Sequence, residues 1–221
     1  VDGDRVSLQP GIVIYIMRRV LRSLERLHGM GFLHSDIKPG NIMIDRLGSV
    51  KVIDFGRALR VGEAPAFLLG SPMYMAPEQH QRETGTPRSD IYSLGLVGIE
   101  MLRGELLLEM EHIDERVLLS TKQALDAALL NLLPEHVRGN HALVSSLRRM
   151  TALAPQERYA SAREADVGDA GLRVIDKQLV VADLDSEYAR DLADYLKKLV
   201  DPGSGRIELP SIFGPSSSFT G

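Results

Sequence analysis

The sequence predicts a mainly α fold, a helical bundle carrying one short β-hairpin. Three observations lead there. Apolar residues return every three to four positions in several long stretches of the 221-residue chain. Only two short β-branched runs, Ile42–Ile44 and Val50–Ile53, read as strands, with Arg46-Leu47-Gly48 turning between them. The composition, 44% hydrophobic and 25% charged, is that of a globular chain large enough for a substantial core.

The first helix is predicted from Ile12, Ile16, Val20, Leu24 and Leu27, one amphipathic stripe. Pro10 suits its first turn, and the Gly29–Gly31 segment ends it. The hairpin follows. From Arg57 to Pro77 the periodicity is mixed and prolines stand at 65, 72 and 77, which predicts a long loop. Asp90 is expected to cap a helix running through Tyr92, Leu94, Val97, Ile99 and Met101. Further helical patterns cover 122–133, 142–153 and 186–200, and the Gly-, Pro- and Ser-rich stretch 201–221 reads as a flexible tail. Leu125, Leu129, Leu130, Leu132 and Leu133 form a leucine-rich stretch, read as core or helix seam before docking surface.

The formal charge of −4 argues against nucleic acid or an anionic membrane as main partner. With no cysteine there are no disulfides and no thiolate metal sites. No apolar run approaches the roughly 20 residues of a membrane span, and the first residues show no secretory pattern. A cytoplasmic location is the expectation. The chain opens on Val1.

The most informative stretch is His34–Asn41, HSDIKPGN, followed thirteen residues later by Asp54-Phe55-Gly56. The hairpin between them brings Asp54 beside the loop that carries Asp36, Lys38 and Asn41. Phosphoryl transfer needs a carboxylate to align a hydroxyl, a cation against phosphate oxygens, and oxygen ligands for Mg²⁺. Asp36, Lys38 and the pair Asn41 and Asp54 supply those types in that order. For any one of these residues, a capped turn with a solvated lysine is the plainer reading.

These residues resemble the catalytic loop and metal-binding motif of the eukaryotic-like Ser/Thr protein kinases, many of them bacterial. The likeness continues through Gly70-Ser71-Pro72-Met73-Tyr74-Met75-Ala76-Pro77-Glu78, Asp90-Ile91-Tyr92-Ser93-Leu94-Gly95 and Pro155-Gln156-Glu157-Arg158-Tyr159. It implies a protein-kinase-like C-terminal lobe that transfers the γ-phosphoryl group of ATP to a protein Ser/Thr hydroxyl with Mg²⁺ or Mn²⁺. Asp36 would be the catalytic carboxylate and Lys38 the phosphate contact, Asn41 and Asp54 would hold the metal, and Ser71 would bond Asp36 through its hydroxyl. His34 and Phe55 would pack in the regulatory spine, Glu78 and Arg158 would form a buried ion pair, and Asp90 would hold the catalytic loop by its amides. Lys38 followed by Pro39 is the form associated with Ser/Thr specificity.

Two departures stand out. Ser35 replaces the arginine that precedes the catalytic Asp in the family, and Arg57–Gly70 contains no Ser, Thr or Tyr, so receiver and acceptor of an activating phosphate are absent together. No glycine-rich loop after a strand precedes His34, and Val1–Gln9 looks like the end of the interlobe hinge. The expected organisation is therefore a hinge remnant at 1–9, the large lobe at 10–175, an extension with a helix at 176–200 and the tail at 201–221. The small lobe would be supplied in cis or trans, and this stretch would be inactive alone. A non-catalytic binding module and a small-molecule phosphotransferase remain alternatives.

Overall fold

The computed structural model describes residues 7–63, 71–81, 83–107, 114–179 and 185–199. The predicted tail and most of the predicted hinge remnant lie outside them. Pro10 opens α1 (Pro10–Gly29), where a missing N–H goes unnoticed. The helix closes where the Met30 N–H reaches the Arg26 and Leu27 carbonyls and Gly31 turns left-handed at φ 83°. Its burial is wider than the predicted stripe, for every residue from Gly11 to Arg18 is buried. Other elements pack on this half from several sides, as seen below.

β1 (Phe32–Leu33) and β4 (Leu59–Arg60) form one antiparallel pair, and β2 (Ile42–Ile44) and β3 (Val50–Val52) form the predicted hairpin. In the hairpin turn Asp45 Oδ1 accepts the N–H groups of Leu47 and Ser49, each at 2.9 Å, and Gly48 adopts φ 79°. The loop predicted for 57–77 thus holds a strand at its start, and α2 (Pro77–His80) at its end; residues 64–70 lie outside the described set. Two-residue strands leave no periodicity to read.

The central helix, α3 (Pro87–Arg103), is buried over most of its length. Its N-cap is Thr86, whose N–H bonds Ser89 Oγ at 3.1 Å, so Asp90 is not the cap but lies inside the first turn. Gly104 at φ 72° ends it. α4 (Glu115–Leu132) is capped by Asp114 and begins seven residues before the predicted start. α5 (Glu135–Arg138), α6 (His141–Met150), α7 (Ala162–Val167), α8 (Leu172–Leu179) and α9 (Asp185–Leu199) complete the order. α5, α7 and α8 were not predicted, being too short to declare a period.

α1, α6 and α7 pack around α3, and their apolar faces form the main core with Tyr92, Leu94, Val97, Leu147 and Met150. In the leucine-rich stretch Leu125, Leu129 and Leu133 join that core, whereas Leu130 remains 43% exposed. A second cluster joins Ile12, Tyr15 and Ile16 of α1 to Leu192 and Leu196 of α9, with Ile44 and Val50 of the hairpin against it. The catalytic-loop candidate therefore sits on a frame held from below by α3 and along one side by α1 and α9. Among the described residues no helix is long and apolar enough to cross a membrane.

Candidate active site

Loop 34–41 is held by one buried carboxylate. Asp90, 2% exposed, accepts the backbone N–H of His34 on Oδ2 and of Ser35 on Oδ1, both at 2.9 Å, with His28 Nε2 also 2.9 Å from Oδ2. A carboxylate that takes two consecutive amides fixes the chain direction between them. The next clamp is His34, fully buried. Its Nδ1 accepts from Asp36 N at 3.3 Å, and its Nε2 lies 3.1 Å from the Ile53 carbonyl, an arrangement that selects the Nε2–H tautomer. His34 thereby ties the residue before Asp54 to the loop of Asp36.

Asp36, 4% exposed, is the point of convergence. Its Oδ1 accepts Ser71 N at 2.9 Å and lies 3.8 Å from Arg57, while its Oδ2 lies 3.1 Å from Lys38 Nζ and 3.2 Å from Asn41 Nδ2. Burial works against its charge, but the Lys38 ammonium, Ser71 and Arg57 outweigh that and hold the carboxyl below its ordinary range. Asp36 is thus poised as an acceptor. The Ser71 amide donates to Asp36 Oδ1, the Ser71 side chain also favours that carboxylate's charge, and its hydroxyl accepts from Lys38 Nζ at 2.9 Å. One residue thus ties the carboxylate to the lysine through its amide and its hydroxyl.

Asn41 is buried and its amide nitrogen is committed to Asp36, 2.8 Å from the main-chain oxygen and 3.2 Å from Oδ2. Its amide oxygen is what remains for a cation. Ile53 N donates to the Asn41 carbonyl at 3.0 Å, so Asp54 is the next residue after a main-chain tie to Asn41. Asp54 is exposed, with Oδ1 accepting Gly56 N at 3.2 Å. One carboxylate and one amide oxygen suit a hard cation that takes its other ligands from water and phosphate. Among the described residues no group of three or more His, Cys, Asp or Glu could hold a metal by itself.

Among the described residues, Ser35 (φ 64°) and Asp54 (φ 62°) are the non-glycine residues with left-handed backbone, one on each side of the site. Such conformations persist only where surrounding bonds over-determine them, and Asp90 and the hairpin do so here. Phe55 packs against His34. Its ring lies 5.2 Å from His34, tilted by 59°, but the residue is 51% exposed, so the pair buries only its histidine side. Below the site, Arg158 meets Glu78 in a two-pronged pair at 2.7 and 2.9 Å, with Arg158 1% exposed. Arg57 was missed at the sequence level. Its signal was its position three residues after Asp54, close enough in the chain to fold back on Asp36.

Residues 3–167 match the family model described as the protein kinase domain. The chain is 42% identical over 106 residues to the serine/threonine-protein kinase PknA of Mycobacterium tuberculosis, covering 42% of this chain and 25% of that protein. It is 33% identical over 176 residues to the serine/threonine-protein kinase PrkC of Bacillus subtilis, covering 74% of this chain and 26% of that protein. The chain thus spans about a quarter of the length of these curated relatives. Among solved structures, the Cydia pomonella granulovirus kinase PK-1 matches with a TM-score of 0.62 and 26% identity, over 74% of this chain and 59% of that one. Catalytic-loop geometry, helical architecture and matched residues agree: this chain belongs to the protein kinase domain family and resembles its bacterial, eukaryotic-like serine/threonine members.

Proposed function

We propose that this chain carries the catalytic lobe of a protein-serine/threonine kinase, which passes the γ-phosphoryl group of ATP to a Ser or Thr hydroxyl of a protein substrate. One observation carries the reading: the buried Asp36 carboxylate is held between Lys38, Asn41 and the Ser71 amide, with its charge favoured. Asp36 would orient the acceptor hydroxyl and take up its proton. Lys38, fixed by Asp36 and the Ser71 hydroxyl, would place its ammonium over the transferring phosphate. Asn41 and Asp54 would hold Mg²⁺ or Mn²⁺, which when bound neutralises phosphate charge. The strained backbone at Ser35 and Asp54 would preset these groups before substrate arrives.

A small lobe, in cis or trans, would complete the ATP site above the exposed Asp54 and the half-exposed Phe55. Activation-segment phosphorylation would play no part, since residues 57–70 offer no hydroxyl. The test is transfer from Mg-ATP to protein substrates with Ser, Thr or Tyr acceptors, by the full-length protein and by its Asp36→Asn variant. Labelled Ser or Thr, with a loss of about 10²–10⁴-fold in the variant, is the expected outcome. Nucleotide binding without transfer in wild type would favour a binding module, and transfer only to a small molecule would overturn the protein-kinase assignment.

A further inference from the structure

α4 presents a buried stripe of Leu118, Leu125 and Leu129, and in the middle of it stands a lysine, Lys122, only 2% exposed. A buried ammonium is costly unless every proton finds an acceptor. Lys122 Nζ lies 2.7 Å from the Pro72 carbonyl, 2.6 Å from the Met75 carbonyl and 2.7 Å from His80 Nε2. Three protons meet three acceptors. For His80 to accept, its proton must sit on Nδ1, and that atom lies 3.3 Å from Glu115 Oε1, two turns earlier on α4. Burial first, and the Lys122 charge second, hold the His80 pKa below its ordinary value, which keeps the ring neutral and able to accept.

The segment so gripped has no ladder of its own. Between Ser71 and Ala76 the backbone-to-backbone bonds are short turns, Tyr74 N and Met75 N to the Ser71 carbonyl at 2.9 and 3.2 Å, and from outside the segment Ser93 Oγ of α3 holds the Tyr74 carbonyl at 2.7 Å. Immediately before Pro72, the Ser71 amide sits on Asp36 and its hydroxyl on Lys38. A continuous chain of bonds therefore runs from α4 through Lys122 and Pro72 to the proposed catalytic carboxylate. Other charged groups near Lys122 are already engaged. Glu78 of α2 is paired with Arg158, and Glu100 of α3, across the apolar cavity of about 130 Å³ that Lys122 also lines, accepts Tyr74 OH at 2.7 Å and Leu107 N at 2.9 Å. Among the described residues no carboxylate touches the ammonium directly; its partners there are main-chain oxygens and an imidazole. A leucine would fill this stripe at less cost, so the lysine is there for the carbonyls.

We propose that Lys122 is a positioning residue for substrate: by holding the Pro72 and Met75 carbonyls it sets segment 71–76 as the platform that receives the acceptor peptide and keeps the Ser71 amide on Asp36. The inference rests on the protein-kinase reading, and nothing in the catalytic-loop motifs assigns Lys122.

The test compares wild type with Lys122→Met, which keeps the stem and removes the donors, and with His80→Leu, which keeps the lysine but removes one acceptor. Amide hydrogen exchange is followed at Tyr74 and Met75 and, as an internal reference, in the core of α3. The full-length protein is then assayed for KM of a Ser/Thr peptide and KM of Mg-ATP. Lys122→Met should accelerate exchange at Tyr74 and Met75 and raise the peptide KM by about tenfold, with α3 protection and the KM for Mg-ATP unchanged. His80→Leu should give smaller changes of the same sign, and it decides the question alone if Lys122→Met does not fold. The wild-type peptide KM should also change across the titration of Lys122 near pH about 7, a dependence that Lys122→Met lacks. Unchanged exchange at Tyr74 and Met75, or a rise in both KM values together, would overturn the proposal. A wild type that transfers no phosphate would sink the kinase reading alone, because the exchange comparison still decides whether Lys122 holds this segment.

Discussion

Replacing Glu78 by glutamine should be among the most damaging conservative changes in the chain. Glu78 Oε1 accepts Arg158 NH1 at 2.7 Å and Ser89 Oγ at 2.8 Å, and Oε2 accepts Arg158 NH2 at 2.9 Å. The Arg158 side chain is wholly buried, donates to the carbonyls of Ala152 at 2.7 Å and Leu153 at 2.8 Å, and lies 4.7 Å over the Tyr92 ring. Glutamine preserves volume but leaves a guanidinium buried with no counter-charge. Breaking a buried pair in this way costs about 3–5 kcal/mol. At roughly 2–4 °C per kcal/mol for a chain of this size, the melting temperature should fall by roughly 6–20 °C. Thermal and urea unfolding followed by circular dichroism measure it, with an unchanged urea slope showing that the loss lies in stability. The double variant Glu78→Gln/Arg158→Met removes the stranded charge and puts an apolar stem against Tyr92. Its loss should be smaller than the sum of the two single losses, the difference being the coupling of the pair. Strict additivity, or a fall of less than about 2 °C for Glu78→Gln, would refute the argument.

Asp90→Ala should free the His34 and Ser35 amides, lower stability by about 1–3 kcal/mol and abolish transfer by the full-length protein, while Asp90→Asn, which keeps one acceptor oxygen, should lose less; parallel unfolding and activity assays check both. Gly48→Ala should loosen α9, because an added Cβ would overlap the Ala189 carbonyl and the residue already sits at φ 79°; faster amide exchange within Asp185–Leu199 is the readout. Lys122 should give stability a rising limb in alkali. Burial pushes its ammonium down from 10.5 to about 7, so between those pH values the unfolded chain binds the extra proton and stability climbs with pH. Lys122→Met should erase that climb in urea titrations made from pH 6 to pH 10.

The candidate site was legible because it is local. Asp36, Lys38 and Asn41 lie within six residues of one another, and a hairpin with an alternating pattern delivers Asp54, so neighbours in sequence are neighbours in space. The long helices were legible for the same reason, since α1, α3, α6 and α9 each repeat an apolar face. Short elements were not. β1 with β4 depends on two residues finding two others across the chain, and α7 and α8 gain their helicity from packing under α1. The misplaced cap at Asp90 shows the limit of local rules, for an aspartate near a helix start is a fair cap until a loop 55 residues away offers two amides.

What the sequence determined by itself is which residues the proposed phosphoryl transfer would use and in what order they come. It also determined that the segment after Asp54 offers no hydroxyl to phosphorylate before Ser71. Tertiary structure decided how those atoms are held. It placed the Ser71 amide on Asp36, and set Arg57 within 3.8 Å of the same carboxylate. It also turned a lysine in a leucine stripe into a clamp on two main-chain carbonyls. The division has one physical cause. Covalent neighbours share a loop whatever the rest of the chain does, but a buried charge finds its partners only when distant helices close over it and leave no water to compete.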